Sequence, residues 1–233
     1  MEIKLYQSVD TPCSYLENLQ SSSLIVDPDL ELTQDLASWM GNAGYRRSGQ
    51  MLYKPKCSEC NACQSSRIRL DDFKPSKSQK RILNKAKNLQ FQVREAHFSD
   101  SDYELFEKYI TLRHKDGDMY PADKEQYTNF LCKNYGFNFF LETRHEGKTI
   151  AINQFDHLND GLSAVYTFFD PDYESLSPGV LSVLQLIFLA KRIGFPYVYL
   201  GYYIEDCAKM NYKAKYQPLE LFIDEEWVEF NNL

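Results

Sequence analysis

FNFFLET (137–143), TIAINQFDHL (149–158) and LSAVYTFFD (162–170) are three apolar segments joined through the turn strings HEGK (145–148) and NDG (159–161). Aromatic and β-branched residues fill each segment and glycine marks each junction, which is the signature of strands joined by hairpins. Pro178 and Gly179 then open a long apolar helix, VLSVLQLIFLAKRIG (180–194), and PYVYLGYY (196–203) follows as a buried strand. A last hairpin is expected in LELFIDEEWVEF (219–230).

Working outward, SSLIVD (22–27) reads as a strand ended by Pro28, and Leu32, Leu36, Trp39 and Met40 recur at helical spacing as a core stripe until GNAG stops them. Tyr45 to Tyr53 reads as extended and SSRIRL (65–70) as a strand. Ser76 is an N-cap for a basic helix reaching about Leu89, with Lys77, Lys80, Arg81, Lys85 and Lys87. FQVREAHF (91–98) is a strand, and helices are expected over 101–114 and 124–134. The whole predicts an α+β fold, a mixed sheet flanked by helices whose second half follows the order of a Gcn5-related N-acetyltransferase, that is, GNAT-like. The organisation expected is an N-terminal lobe (1–98) holding a Cys loop and the basic helix, and a C-terminal GNAT-like domain (99–233), the two sharing an interface.

A chain of 233 residues with 43% hydrophobic content buries a core without staples. It contains no apolar run of about 18 residues or more, so no membrane partner is expected, and MEIKLYQSVD lacks the layout of a signal peptide. The expected location is cytoplasmic, where thiols stay reduced. Net charge is −7, which by itself argues against a nucleic-acid partner. The average hides a segregation: Tyr45 to Arg94 holds 13 Lys or Arg against 3 Asp or Glu, a balance of +10, and the remainder holds 13 against 30. One face is therefore suited to a polyanion.

Three places concentrate chemistry. Helix entry at Pro178-Gly179 offers outward N–H groups to an anion, although the glycine-rich pyrophosphate loop of a coenzyme A enzyme is missing. The tyrosine- and lysine-rich stretch YVYLGYYIEDCAKMNYKAKYQP (197–218) can stack on bases and neutralise phosphates, with Tyr202, Tyr203, Tyr212 and Tyr216 the set of interest. Cys57, Cys60 and Cys63 form C-x2-C-x2-C. With Cys13 they make four soft ligands for zinc or an iron–sulfur cluster; alternatively they are free thiols packed beside the basic segment. Hydrolytic motifs are absent: His97, His114, His145 and His157 share no metal-ligand spacing, and there is no Walker loop.

TPCSYL, GYRRSG, YKPKCSECNACQSSRIRL, FKPSKSQKR, VYTFFDP and YVYLGYYIEDCAKMNYKAKYQP occur in one order that resembles the arginyl-tRNA–protein transferase family, and the C-x2-C-x2-C loop is similar to that of its short bacterial leucyltransferase branch. The resemblance implies transfer of leucine from Leu-tRNA to the N-terminal amine of proteins beginning with Asp or Glu, a step that marks them for degradation as N-degrons. Its partners would be that aminoacyl-tRNA and those proteins. An aminoacyl ester is already activated, so no cofactor is required, while metal binding by the cysteines is associated with eukaryotic members whose spacing differs. Alignment is the enzyme's main task, with a proton acceptor, Asp170 or Glu205, and an oxyanion donor, Tyr202 or Tyr203. Arg46 and Arg47 supply a fork for the acidic side chain or for tRNA. Further substrate contacts are expected from Ser48, Arg81, Tyr166, Phe168, Gly179, Lys209, Tyr212, Lys213 and Tyr216. The competing readings are an arginine donor, a coenzyme A dependent N-acetyltransferase and a non-catalytic RNA-binding module.

Overall fold

Short apolar runs give the N-terminal lobe short strands. In a computed structural model, which describes residues 3–230, β1 (Leu5–Gln7), β2 (Thr11–Pro12), β3 (Gln20–Ser21) and β4 (Ser23–Val26) precede α1 (Gln34–Asn42). β5 (Arg46–Ser48), β6 (Met51–Pro55) and β7 (Gln64–Arg69) follow it. Thr33 caps α1 by accepting from the Leu36 N–H, and Leu36 and Met40 pack on Val26, Tyr45 and Leu52. Trp39, expected in that stripe, is 58% exposed. At about 100° per residue, Trp39 falls outside the arc shared by Leu36, Ala37, Ser38, Met40 and Gly41, all of which are buried. A four-stranded antiparallel sheet, β1-β4-β6-β5, results, with β2 and β3 as a separate ribbon.

α2 (Lys77–Lys85) begins at a capping box closed by Ser76 and Gln79. It stops short of the expected Leu89, because the chain turns there to bury Leu89 with Ala86 against Ile150 and Leu181. β8 (Gln90–Glu95), α3 (Asp100–Arg113) and α4 (Lys124–Tyr127) come next, the last widening into a π turn over Thr128–Cys132. The three decisive segments are β9 (Asn138–His145), β10 (Lys148–His157) and β11 (Gly161–Phe169), followed by α5 (Pro178–Arg192) and β12 (Tyr197–Tyr203). β13 (Leu219–Ile223) and β14 (Glu226–Glu229) form the closing hairpin.

One eight-stranded sheet, ordered β14-β13-β7-β12-β11-β10-β9-β8, organises the chain. β7 and β8 precede residue 98 and are hydrogen-bonded into it, so the two lobes share one sheet. Its two faces are both covered, as apolar strands require. Leu184 and Ile187 of α5 pack with Leu141 and Phe155, while Phe106 and Ile110 of α3 pack with Phe140, Ile152 and Phe168. The fold is thus the expected α+β mixed sheet flanked by helices.

Every pairing is antiparallel except that of β11 with β12, which α5 connects. This parallel pair is registered at three positions only, Gly161 with Tyr197, Leu162 with Val198 and Ser163 with Tyr199. A Cβ at Gly161 would lie 2.5 Å from the Tyr197 carbonyl oxygen, so only glycine lets the strands start this close. Beyond Ser163 they part, and the gap between them is a fork.

Candidate active site

The fork is floored by an arginine from the other lobe. β5 places Arg46 so that Nη1 donates to Ser163 Oγ at 2.9 Å and Nη2 donates to the Ala164 carbonyl, both at the branching point of β11. On the β12 side the guanidinium lies against Gly201, whose φ of +86° accompanies the register shift between β12 and β7. A Cβ there would come within 3.5 Å of Arg46 Nε, and L residues rarely adopt that φ. Arg46 is 8% exposed and forms no ion pair among the described residues. Burial pulls its guanidinium below the ordinary value, partly offset by Tyr202, Tyr53 and Asp156.

Arg47, one residue on, is the opposite case. Its Nε and Nη2 each donate to Asp156 at 2.7 Å, and both side chains are 2% exposed. Burial works against its charge but Asp156 outweighs burial, so its pKa is raised. Arg47 is therefore a clamp between β5 and β10, and of the expected pair only Arg46 is left without a carboxylate partner among the described residues. The sign of this lay in QFDH: an acid inside an apolar strand needs a buried cation.

Around Arg46 the fold gathers Tyr53, Tyr202, Tyr212 and Lys213, each close enough to feel its charge. Tyr202, expected as an oxyanion donor, gives its hydroxyl to the Tyr53 carbonyl at 2.9 Å and is buried, so it ties the lobes together. Tyr203 packs on Phe230 with ring centroids 5.1 Å apart, in the core on α5's side. Glu205 is exposed, and its carboxylate is among the groups that push the Tyr203 phenol up, after burial. Tyr212 is 37% exposed and Lys213 is 3% exposed.

Other expected residues lie elsewhere. Asp170 accepts from Lys108 at 2.6 Å, Lys148 at 2.7 Å and the Asp172 N–H at 3.1 Å, while capping the 3₁₀ turn Pro171–Leu176. Burial raises its pKa, but those hydrogen bonds outweigh burial and hold the carboxyl below the usual range. Six residues beyond Ala164 in an extended strand, it stands about 20 Å from the fork. It is a cap rather than a proton acceptor there. Phe168 is fully buried among Phe106 and Tyr127, and Tyr216, 2% exposed, belongs to the core, so neither is placed to meet a substrate. Tyr166 is half-buried against Phe130 and Phe106. Ser48 ends β5 opposite Met51, Gly179 sits in the first turn of α5, which has no side-chain cap, and Lys209 is exposed.

The basic helix has the character expected of it. Lys77, Lys80, Arg81, Lys85 and Lys87 are exposed along α2 and just beyond it, while Gln79 faces inward and donates to the Lys215 carbonyl at 3.1 Å. Arg81 is exposed with the lysines.

All six cysteines are free thiols. Cys13 Sγ accepts from the N–H groups of Tyr15 and Leu16 at 3.5 Å, and Cys60 Sγ from that of Ala62 at 3.5 Å. Burial, then Cys57, Cys13 and Cys60, push the Cys63 thiol up to about 12, so the four sulfurs are neighbours. As placed, however, no group of three or more His, Cys, Asp or Glu among the described residues could hold a metal ion. The four thiols share one neighbourhood of the N-terminal lobe. No helix of the described residues is long and apolar enough to cross a membrane.

Two family models match this chain along most of its length. Residues 11–81 match the family described as "Arginine-tRNA-protein transferase, N terminus" and residues 101–223 the one described as "Arginine-tRNA-protein transferase, C terminus". The chain is 45% identical over 227 residues to the aspartate/glutamate leucyltransferase of Alcanivorax borkumensis, covering 97% of this chain and 94% of that one. It is 43% identical to that of Saccharophagus degradans, covering 98% of each. Likeness to solved structures is lower, with a TM-score of 0.48 at 14% identity to L-PGS from Bacillus licheniformis over 69% of this chain and 47% of that one. The protein is an aminoacyltransferase, taking its donor group from a charged tRNA and passing it to a protein. The chain belongs to the arginine-tRNA-protein transferase family.

Proposed function

We propose that the enzyme transfers leucine from leucyl-tRNA to the α-amine of proteins that begin with Asp or Glu, in the cytoplasm, as a step of N-degron marking. The observation that carries the reading is Arg46: a buried guanidinium without a counter-ion, at the branching point of two parallel strands, is a receptor waiting for an anion. The names of the relatives supply which anion, the side chain of an N-terminal Asp or Glu. Residues 1–98 act as the lobe that brings Arg46 and the basic helix, and 99–233 as the GNAT-like domain whose fork accepts the aminoacyl end in place of acetyl coenzyme A.

In the reaction the neutral amine, whose pKa is about 7.7–8.0, attacks the ester carbonyl. The C–N bond forms, the C–O bond to the ribose breaks, and of the amine's two protons one ends on the ribose oxygen while the other stays on the new amide nitrogen. No cofactor is needed, because the ester supplies the driving force. Glu205 is the remaining candidate to accept a proton, and Lys209, Tyr212 and Arg81 to contact tRNA. A zinc ion or iron–sulfur cluster on Cys13, Cys57, Cys60 and Cys63 would serve the lobe's structure, and metal analysis of the purified protein tests for it.

Arginine as the donor is the second reading, favoured by the family's own description. Incubating the enzyme with labelled Leu-tRNA or Arg-tRNA and peptides beginning with Asp, Glu or Ala decides both points. Label from Leu-tRNA on the Asp and Glu peptides alone is the expected result. Label from Arg-tRNA only, or equal labelling of the Ala peptide, would sink the proposal.

A further inference from the structure

Arg46 does not stand alone. Lys213, in the 3₁₀ turn Asn211–Lys215 that follows β12, is 3% exposed, yet an ammonium carries three donors. Its Nζ finds only the Met210 carbonyl at 3.4 Å and Met210 Sδ at 3.7 Å, and rests 4.7 Å from the centroid of the Tyr212 ring. Among the described residues it has no carboxylate partner. Burial, then the charge of Arg46, lower this amino group to about 8, with Cys207 acting weakly the other way. Two cations held in each other's field, both out of water and neither paired, oppose folding unless an anion completes them.

We propose that Lys213 is a specificity-determining residue: with Arg46 it forms a two-cation receptor for the side-chain carboxylate of the acceptor's first residue. The inference rests on the function proposed above and adds the second cation, Lys213, in the place once given to Arg47. Ser163 and Ala164 occupy two of the five Arg46 N–H groups, which leaves Arg46 with a free edge and Lys213 with its head for a two-oxygen anion. Binding the carboxylate favours the ammonium form, so acidic acceptors are held less well as pH rises past about 8 and the empty site loses its proton.

The test compares kcat/KM for two peptides that differ only in an N-terminal Asp or Asn, from pH 7 to 9, in wild type, Lys213→Met and Lys213→Arg. Each kcat/KM is divided by the neutral fraction of that peptide's own α-amine, titrated separately, before the Asp/Asn ratio is taken, because the Asp carboxylate holds its neighbouring amine at a higher pKa than Asn does. At pH 7 the ratio should fall about 10- to 100-fold in Lys213→Met, the range for losing a charged hydrogen bond. It should decline with pH in wild type and stay flat in Lys213→Arg, whose charge is permanent. Equal losses for Asp and Asn peptides, or a raised KM for leucyl-tRNA with the ratio intact, would overturn the receptor, the latter pointing to a phosphate contact. If wild type transfers to the Asp peptide and Lys213→Met keeps its ratio, only this inference fails. If wild type transfers to neither peptide, the functional reading falls and the receptor with it.

Discussion

A buried charge lies against each end of β11, Arg46 of β5 at one and Asp170 just past the other, and the two are treated oppositely. At the far end Asp170 is met by Lys108 and Lys148 and by a backbone N–H. At the fork Arg46 is met by a hydroxyl and a carbonyl, neither of which carries charge. The compensated charge holds the fold, and the uncompensated one stands without a counter-ion among the described residues. The same contrast recurs between neighbours on β5, where Arg47 has Asp156 and Arg46 has no anion.

The largest effect on stability is expected from Arg47→Met, which strands Asp156 in the core and should cost about 3–5 kcal/mol in urea unfolding. Arg46→Met should sharpen the contrast. It removes a buried cation that no anion balances, so the melting temperature should hold or rise, while kcat/KM for Asp-initiated peptides falls about 100-fold. A loss of stability like that of Arg47→Met would erase the distinction between the two arginines. Asp170→Asn should cost less, about 1–3 kcal/mol, because the side chain of its partner Lys148 is 58% exposed and solvent screens that half of the cluster. Since the folded carboxyl is held below its unfolded value, its contribution is present above about pH 4 and is lost as pH falls through the lower folded pKa. The deficit of Asp170→Asn should therefore shrink in acid and leave aminoacyl transfer unchanged near neutrality. Smallest of all, Arg81→Ala on α2 should reduce the slope of log affinity for tRNA against log salt by about 0.7–0.9 for the phosphate contact removed.

Much of this was legible before any coordinates. Apolar runs joined by short glycine-marked turns revealed β9, β10 and β11, and Pro178-Gly179 the start of α5, because local pattern and backbone chemistry decide those elements. The charge count picked out α2 for the same reason, since exposed lysines need no tertiary partner to be recognised. The site was only half legible. Arg46 and Arg47 are equivalent in sequence, and the difference between them is a carboxylate 109 residues away on β10. Asp170 and Tyr202 carry suitable groups, but partners brought in by α3, β10 and β6 had already taken them up. Phe168 and Tyr216 failed for a different reason: an aromatic residue in a motif does not announce which side of the sheet it faces. The parting of β11 from β12 had no local signal beyond Gly161 and Gly201.

Gln79 gives the molecule a further property. One end of its side-chain amide closes the cap of α2, and the other reaches the backbone of the turn that carries Tyr212 and Lys213. The exposed basic helix and the turn that holds Lys213 are bolted together through this buried side chain, 4% exposed. Such a molecule works as a caliper. Its two jaws, α2 and the 3₁₀ turn, are held at one gap by that amide.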